Sequence, residues 1–125
     1  MSKDGQSIKP KVLVVDDERV IADTLTIILN QSGFDAFAVY TGTDAVQRAR
    51  ADKPDLIISD VIMPDMNGIE AAIRIRQILP SCKILLFSGQ AATADLLEKA
   101  RLEGHEFEIL AKPVHPQDLL AKLRG

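Results

Sequence analysis

Uninterrupted apolar runs alternate along this chain with stretches of helical periodicity, and the alternation repeats five times. The first run, Val12-Leu13-Val14-Val15, follows a polar tail of about ten residues closed by Pro10 and stops abruptly at Asp16-Asp17. A continuous, β-branched run is how a strand covered on both faces reads. From Glu18 onward, Ile21, Leu25, Ile28 and Leu29 follow helical spacing, and Gly33 stands where a left-handed cap would end that helix. A strand is expected from Phe34 to Val39. Thr41-Gly42-Thr43-Asp44 resembles a capping box opening a helix with Ala45 and Ala49 inward, which ends near Lys53-Pro54.

The later cycles are similar. Leu56-Ile57-Ile58 is a short buried run ending on Asp60. The turn-rich loop Met63-Pro64-Asp65-Met66-Asn67-Gly68 follows, and Ile69, Ala72, Ile73 and Arg76 mark one face of a helix finishing before Pro80. Lys83 to Phe87 reads as a strand ending at Ser88-Gly89. Leu96, Leu97 and Ala100 suggest a helix closing at Gly104, and Phe107 to Ala111 is a fifth strand before Lys112-Pro113. Pro116 fits the first turn of a last helix striped by Leu119, Leu120 and Leu123. Five strand-helix units with short connections predict an α/β domain, a doubly wound parallel sheet of five strands with five helices on its two faces.

In that fold Asp16, Asp17, Asp60, Ser88 and Lys112 all follow apolar strands immediately, so they share the carboxyl edge of the sheet, where ligands bind at the point of topological reversal. Taken singly, each has an ordinary explanation: a helix cap for Asp16 and Asp17, turn residues for Asp60 and Ser88, a solvated surface for Lys112. Together they are chemistry. Three carboxylates at a half-buried edge repel unless a cation is present, and oxygen-only ligands favour a hard divalent ion, Mg2+ first. A metal with an ammonium and a hydroxyl beside it is the outline of a phosphoryl site. Asp60, alone on its strand end, is then the candidate nucleophile, because carboxylates form aspartyl phosphates.

Composition narrows the field. Eighteen acids against fifteen bases give a net charge of −3, which does not support a broad footprint for nucleic acid or an anionic membrane. No apolar run approaches the roughly 20 residues of a bilayer span, and the start lacks a secretion signal, so a cytoplasmic location is expected. The single cysteine, Cys82, reads as a small buried hydrophobe, and His105 and His115 as surface or cap residues, which leaves no thiolate or imidazole metal cage. Met63 and Met66 read as packing residues, and Gly68 and Gly89 as devices for close backbone approach.

The strings VLVVDDE, LIISDVIMPDMNG, ILLFSG and ILAKP resemble, in order and over nearly the whole chain, the four signature segments of the receiver domain of two-component response regulators. That resemblance implies a flavodoxin-like, CheY-like sheet of strand order 2-1-3-4-5, with a tail at residues 1–10 and the receiver domain at 11–125. It implies that Asp60 accepts a phosphoryl group from a phosphohistidine on a sensor histidine kinase or histidine phosphotransfer protein. Asp17, Asp60 and the backbone carbonyl of Ile62 would ligate Mg2+, with Asp16 acting mainly through water. Ser88 would hydrogen-bond a phosphoryl oxygen, Lys112 would pair with the phosphoryl group, and the Lys112-Pro113 bond would be cis. Such a protein catalyses only its own modification and acts through a downstream protein, by a shift of the face around the fourth helix and fifth strand. A receiver of this length would carry no output domain for DNA or for an enzymatic reaction.

Two departures stand out. The family's switch aromatic usually lies three residues before the lysine, where this chain has Ile109, with Phe107 two positions earlier. The interval from Ser88 to Lys112 is also slightly long, with Glu103-Gly104-His105-Glu106 as the place for an insertion. The rival reading is a Mg2+-dependent phosphohydrolase with an aspartyl nucleophile, but such enzymes carry a second acid two residues after it, where this chain has Ile62. A degenerate receiver serving only as a scaffold fits less well, because the acid pair, acceptor, hydroxyl and lysine are all present.

Overall fold

A computed structural model describes residues 9–89 and 91–124. The expected tail and the last residue of the expected domain therefore lie largely outside the described residues. Five strands, β1 (Lys11–Val15), β2 (Asp35–Val39), β3 (Leu56–Asp60), β4 (Lys83–Ser88) and β5 (Glu108–Ala111), alternate with α1 (Arg19–Gln31), α2 (Gly42–Asp52), α3 (Gly68–Ile78), α4 (Ala91–Leu102) and α5 (Pro116–Arg124). The strands form one sheet in the order β2-β1-β3-β4-β5, with every pair parallel.

The period of two along each strand sorts the apolar residues into two cores. Leu13, Val15, Ile57, Ile84 and Leu86 face one side with Ala45 and Ala49 of α2, Ile69, Ala72 and Ile75 of α3, and Ala100 of α4. Val12, Val14, Ile58, Leu85 and Phe87 face the other with Ala22, Leu25 and Leu29 of α1 and Leu119 and Leu123 of α5. The handedness of parallel crossovers explains this split. The chain steps from β1 to β2 in one direction, then crosses back over β1 to β3 and continues that way, so α1 and the later crossover helices fall on opposite faces. Reversal between β1 and β3 opens a crevice at their carboxyl ends.

The element boundaries follow local chemistry. Thr41 caps α2 by accepting from the Asp44 backbone N–H at 3.0 Å, and Asn67 caps α3 by accepting from Glu70 at 2.8 Å. Phe34, expected in β2, instead donates its N–H to Leu29 at 3.1 Å, closing the end of α1 around Gly33. Gly104, where the helix was expected to close, does the same for α4 at φ +94°, with His105 N–H on Ala100 at 2.9 Å. β5 starts at Glu108 rather than Phe107, and its residues are half-buried or exposed because it pairs only with β4. On α3 the buried set is Ile69, Ala71, Ala72 and Ile75, while Ile73 and Arg76 lie at its half-buried margin.

The packing of α5 gives a direct test. Leu119 is fully buried and Leu102 is 74% exposed. Leu119→Ala is expected to lose about 2–5 kcal/mol in urea unfolding and Leu102→Ala less than about 0.5 kcal/mol. Equal midpoints for the two variants would contradict the burial of α5 against the sheet.

Candidate functional site

The polar residues that end the strands do converge. Asp16 follows β1, Asp60 ends β3, and one carboxylate oxygen from each of Asp16, Asp17 and Asp60 lies within 4.8 Å of the others. Lys112, just past β5, places its Nζ 3.0 Å from Asp60 Oδ1. Its backbone N–H also bonds the Ser88 carbonyl at 3.2 Å, which continues the β4 to β5 ladder to the edge of the site. Asp17, Asp60, Ile62 and Lys112 line an open cleft of about 440 Å3 together with Glu18, Phe87, Gly89 and Thr93.

Close backbone approach makes this arrangement possible. A Cβ at Gly68 would lie 2.0 Å from the Asp60 carbonyl oxygen, and one at Gly89 would lie 2.7 Å from Lys112 Cβ. Gly68 N–H meanwhile donates to Val61 at 2.7 Å, folding the loop after β3 back on itself. Asp65 fastens the same loop to α2 by accepting from the N–H groups of Gly42 at 3.2 Å and Thr43 at 3.0 Å and from the Thr43 hydroxyl at 2.6 Å. That hydroxyl and the backbone donors hold the Asp65 carboxyl down to about 2. Asp65 was legible only as a turn residue, because its partners lie far away in the chain.

Asp16 is fully buried. Its Oδ1 accepts from Glu18 N–H at 2.9 Å, while Oδ2 is buried without a hydrogen-bond partner. Burial pushes its carboxyl up to about 6; the Glu18 N–H and Lys112 oppose the rise, and the charges of Asp60 and Asp17 add to it. An orphaned carboxylate oxygen beside two further carboxylates is what a cation would complete. The donor set, all oxygen, fits a hard divalent ion with a water-rich shell.

The other sequence candidates fall as follows. Ile62 lies at the mouth of the cleft, 48% exposed. Ser88 is half-buried, and its hydroxyl meets that of Thr93. Thr93 is a site residue the sequence did not disclose, since a threonine in a small-residue helix start carries no distinguishing pattern. The Lys112-Pro113 bond is cis. Ile109 is half-buried opposite Leu86, and the Phe107 ring lies under the Arg76 guanidinium, 4.4 Å from its carbon. Cys82 is buried, which pushes its thiol up to about 11. His115 serves the start of α5 by accepting from Asp118 and Leu119, at 3.0 and 3.1 Å.

Residues 12–124 match the family model described as the response regulator receiver domain. The chain belongs to that family. The receiver domain is 32% identical over 119 residues to the DNA-binding response regulator MtrA of Mycobacterium tuberculosis, an alignment covering 95% of this chain and 51% of MtrA. It is also 32% identical over 115 residues to the alkaline phosphatase synthesis transcriptional regulatory protein PhoP of Bacillus subtilis, covering 92% and 47%. The chain thus spans about half the length of these curated relatives. Among solved structures it resembles the chemotaxis response regulator CheY4 of Vibrio cholerae, with a TM-score of 0.80, 29% identity and coverage of 94% and 98%. A CheY-like receiver domain protein from Methanospirillum hungatei superposes with a TM-score of 0.84 at 26% identity, covering 94% and 92%. These matches place the chain among the phosphoacceptor signalling modules of two-component systems and do not favour a phosphohydrolase.

Asp16 makes the receiver domain's stability depend on pH with a definite sign. Its folded pKa lies above its unfolded one, so between about pH 4 and 6 the folded state holds a proton that the unfolded state has lost, and stability falls as pH rises through that window. The rise from 3.8 to about 6 corresponds to on the order of 3 kcal/mol. Asp16→Asn is expected to gain stability over the parent protein progressively from pH 4 to 6.5 without metal, measured by urea unfolding. Saturating Mg2+ should stabilise the parent more at pH 8 than at pH 5. A difference between the two proteins that does not change with pH would refute the assignment.

Proposed function

We propose that Asp60 is the phosphoacceptor of this receiver, with Asp16, Asp17, Asp60 and the Ile62 carbonyl holding Mg2+, Ser88 contacting a phosphoryl oxygen and Lys112 pairing with the phosphoryl group. The observation that carries this reading is the convergence of three carboxylates and one ammonium on a single open cleft. Mg2+, when bound, neutralises charge on the phosphoryl oxygens. An Asp60 oxygen attacks phosphorus, the bond from phosphorus to the imidazole nitrogen of a phosphohistidine breaks, and the neutral imidazole leaves after taking a proton. Lys112, already 3.0 Å from Asp60 Oδ1, keeps its positive charge beside the oxygens of the acyl phosphate. Attack of water on phosphorus later returns the carboxylate and releases inorganic phosphate.

Receiver domains partner with histidine kinases, and this one signals rather than running metabolic catalysis. Its own phosphorylation and dephosphorylation are the only reactions we assign to it. We place the receiver unit at 11–125 behind a tail at 1–10, and its action in the cytoplasm; no described helix is long and apolar enough to cross a membrane. The partner we favour is a protein, given the net charge of −3. MtrA, a DNA-binding response regulator, is about twice as long as the stretch it shares with this chain.

With acetyl phosphate and Mg2+, the parent protein is expected to gain the mass of one phosphoryl group and Asp60→Asn to gain none, measured by intact-mass spectrometry. Chelation of Mg2+ should abolish the gain. Full labelling of Asp60→Asn would exclude Asp60 as acceptor, and repeated release of phosphate from simple monoesters would favour a hydrolase.

A further inference from the structure

Two hydroxyls meet beside the cleft. Ser88 ends β4, Thr93 lies in the first turn of α4, and Ser88 Oγ and Thr93 Oγ1 are hydrogen-bonded. Thr93 is 1% exposed, yet it lines the same cleft as Asp17, Asp60 and Lys112. It sits in the run Ala91-Ala92-Thr93-Ala94, where a small apolar residue would serve packing alone. A hydroxyl buried there costs stability unless it is hydrogen-bonded, so its polarity is directed at the groups it meets.

The proton count gives it a task. A serine hydroxyl has one proton and two acceptor lone pairs. A phosphoryl group beside Ser88 offers only acceptors, so the Ser88 proton must turn toward it. The lone pairs of Ser88 are then free to accept, and a hydroxyl that donates to them holds the proton in that direction and strengthens the bond it makes. Without a phosphoryl group, the same pair can be satisfied with Ser88 donating to Thr93. We infer that Thr93 is a positioning residue for phosphoryl binding: it switches from acceptor to donor toward Ser88 when Asp60 is loaded. This rests on the reading of Asp60 as phosphoacceptor. Because Thr93 belongs to α4, the reversal also reaches the first turn of that helix by a route that needs no aromatic ring at Ile109.

The test is a double-mutant cycle read by Mg2+-dependent binding of fluoroberyllate, followed by calorimetry on the full chain. Thr93→Val keeps the shape and removes the hydroxyl, and is expected to weaken binding about tenfold. Thr93→Ser should restore it, binding of Mg2+ alone should be unchanged in every variant, and Thr93→Val added to Ser88→Ala should cost nothing further. Parent-like affinity in Thr93→Val overturns the inference, as does an undiminished loss in the Ser88→Ala background, which would mark packing alone. Thr93→Ala replaces valine in the cycle if the valine variant does not fold. Binding that persists at full strength in Asp60→Asn, or is absent from the parent protein, would instead strike at the acceptor reading itself.

Discussion

Charge confinement at the carboxyl edge of the sheet is the constraint on which the rest of the structure depends. Asp16 and Asp60 are buried, Asp17 stands beside them, and Lys112 brings the positive charge paired with Asp60. Such a cluster opposes folding while no cation is bound, which is visible in the raised Asp16 carboxyl and its orphaned Oδ2. It persists because the strands beneath it are aliphatic on both faces. Val12 to Val15 and Leu56 to Ile58 are buried by helices on both sides, and their stability holds the carboxylates where they would not choose to gather.

Rigidity at the site comes from backbone proximity as much as from side chains. The loop after β3 passes so close to Asp60 that only glycine fits at Gly68, and Asp65 ties the far side of that loop to α2. Lys112 is likewise held from two sides, by the β-ladder bond to Ser88 and by the missing side chain of Gly89. The Asp60 carboxylate and its ammonium partner are thus placed by several separate segments, none of which could do so alone.

Toward the fourth helix and fifth strand, this receiver differs from the usual pattern in a way that has a structural counterpart. Ile109 is half-buried against the core, and the Phe107 ring is clamped by Arg76, whose Nη1 also bonds the Glu106 carbonyl at 3.0 Å. That clamp ties the approach to β5 to α3. The polar contact that does run from the cleft to this side of the molecule joins Ser88 to α4.

Much of this was legible in the residues. The apolar runs at Val12, Leu56 and Lys83, each ending on a polar side chain, specify buried parallel strands, and a parallel sheet brings strand ends to one edge whatever the loops do. Asp16, Asp17, Asp60, Ser88 and Lys112 were therefore readable as a group. The glycines that close α1 and α4, Gly33 and Gly104, were readable too. Contacts that follow no periodic pattern were not readable, whether between residues distant in the chain, as Asp65 on Thr43 and Arg76 over Phe107, or close in it, as Thr93 on Ser88. Periodicity records which face of an element is dry, so it determines the sheet and its functional edge. Which polar groups meet, and how far burial perturbs Asp16, depends on distances and dielectric surroundings that exist only once the chain has folded.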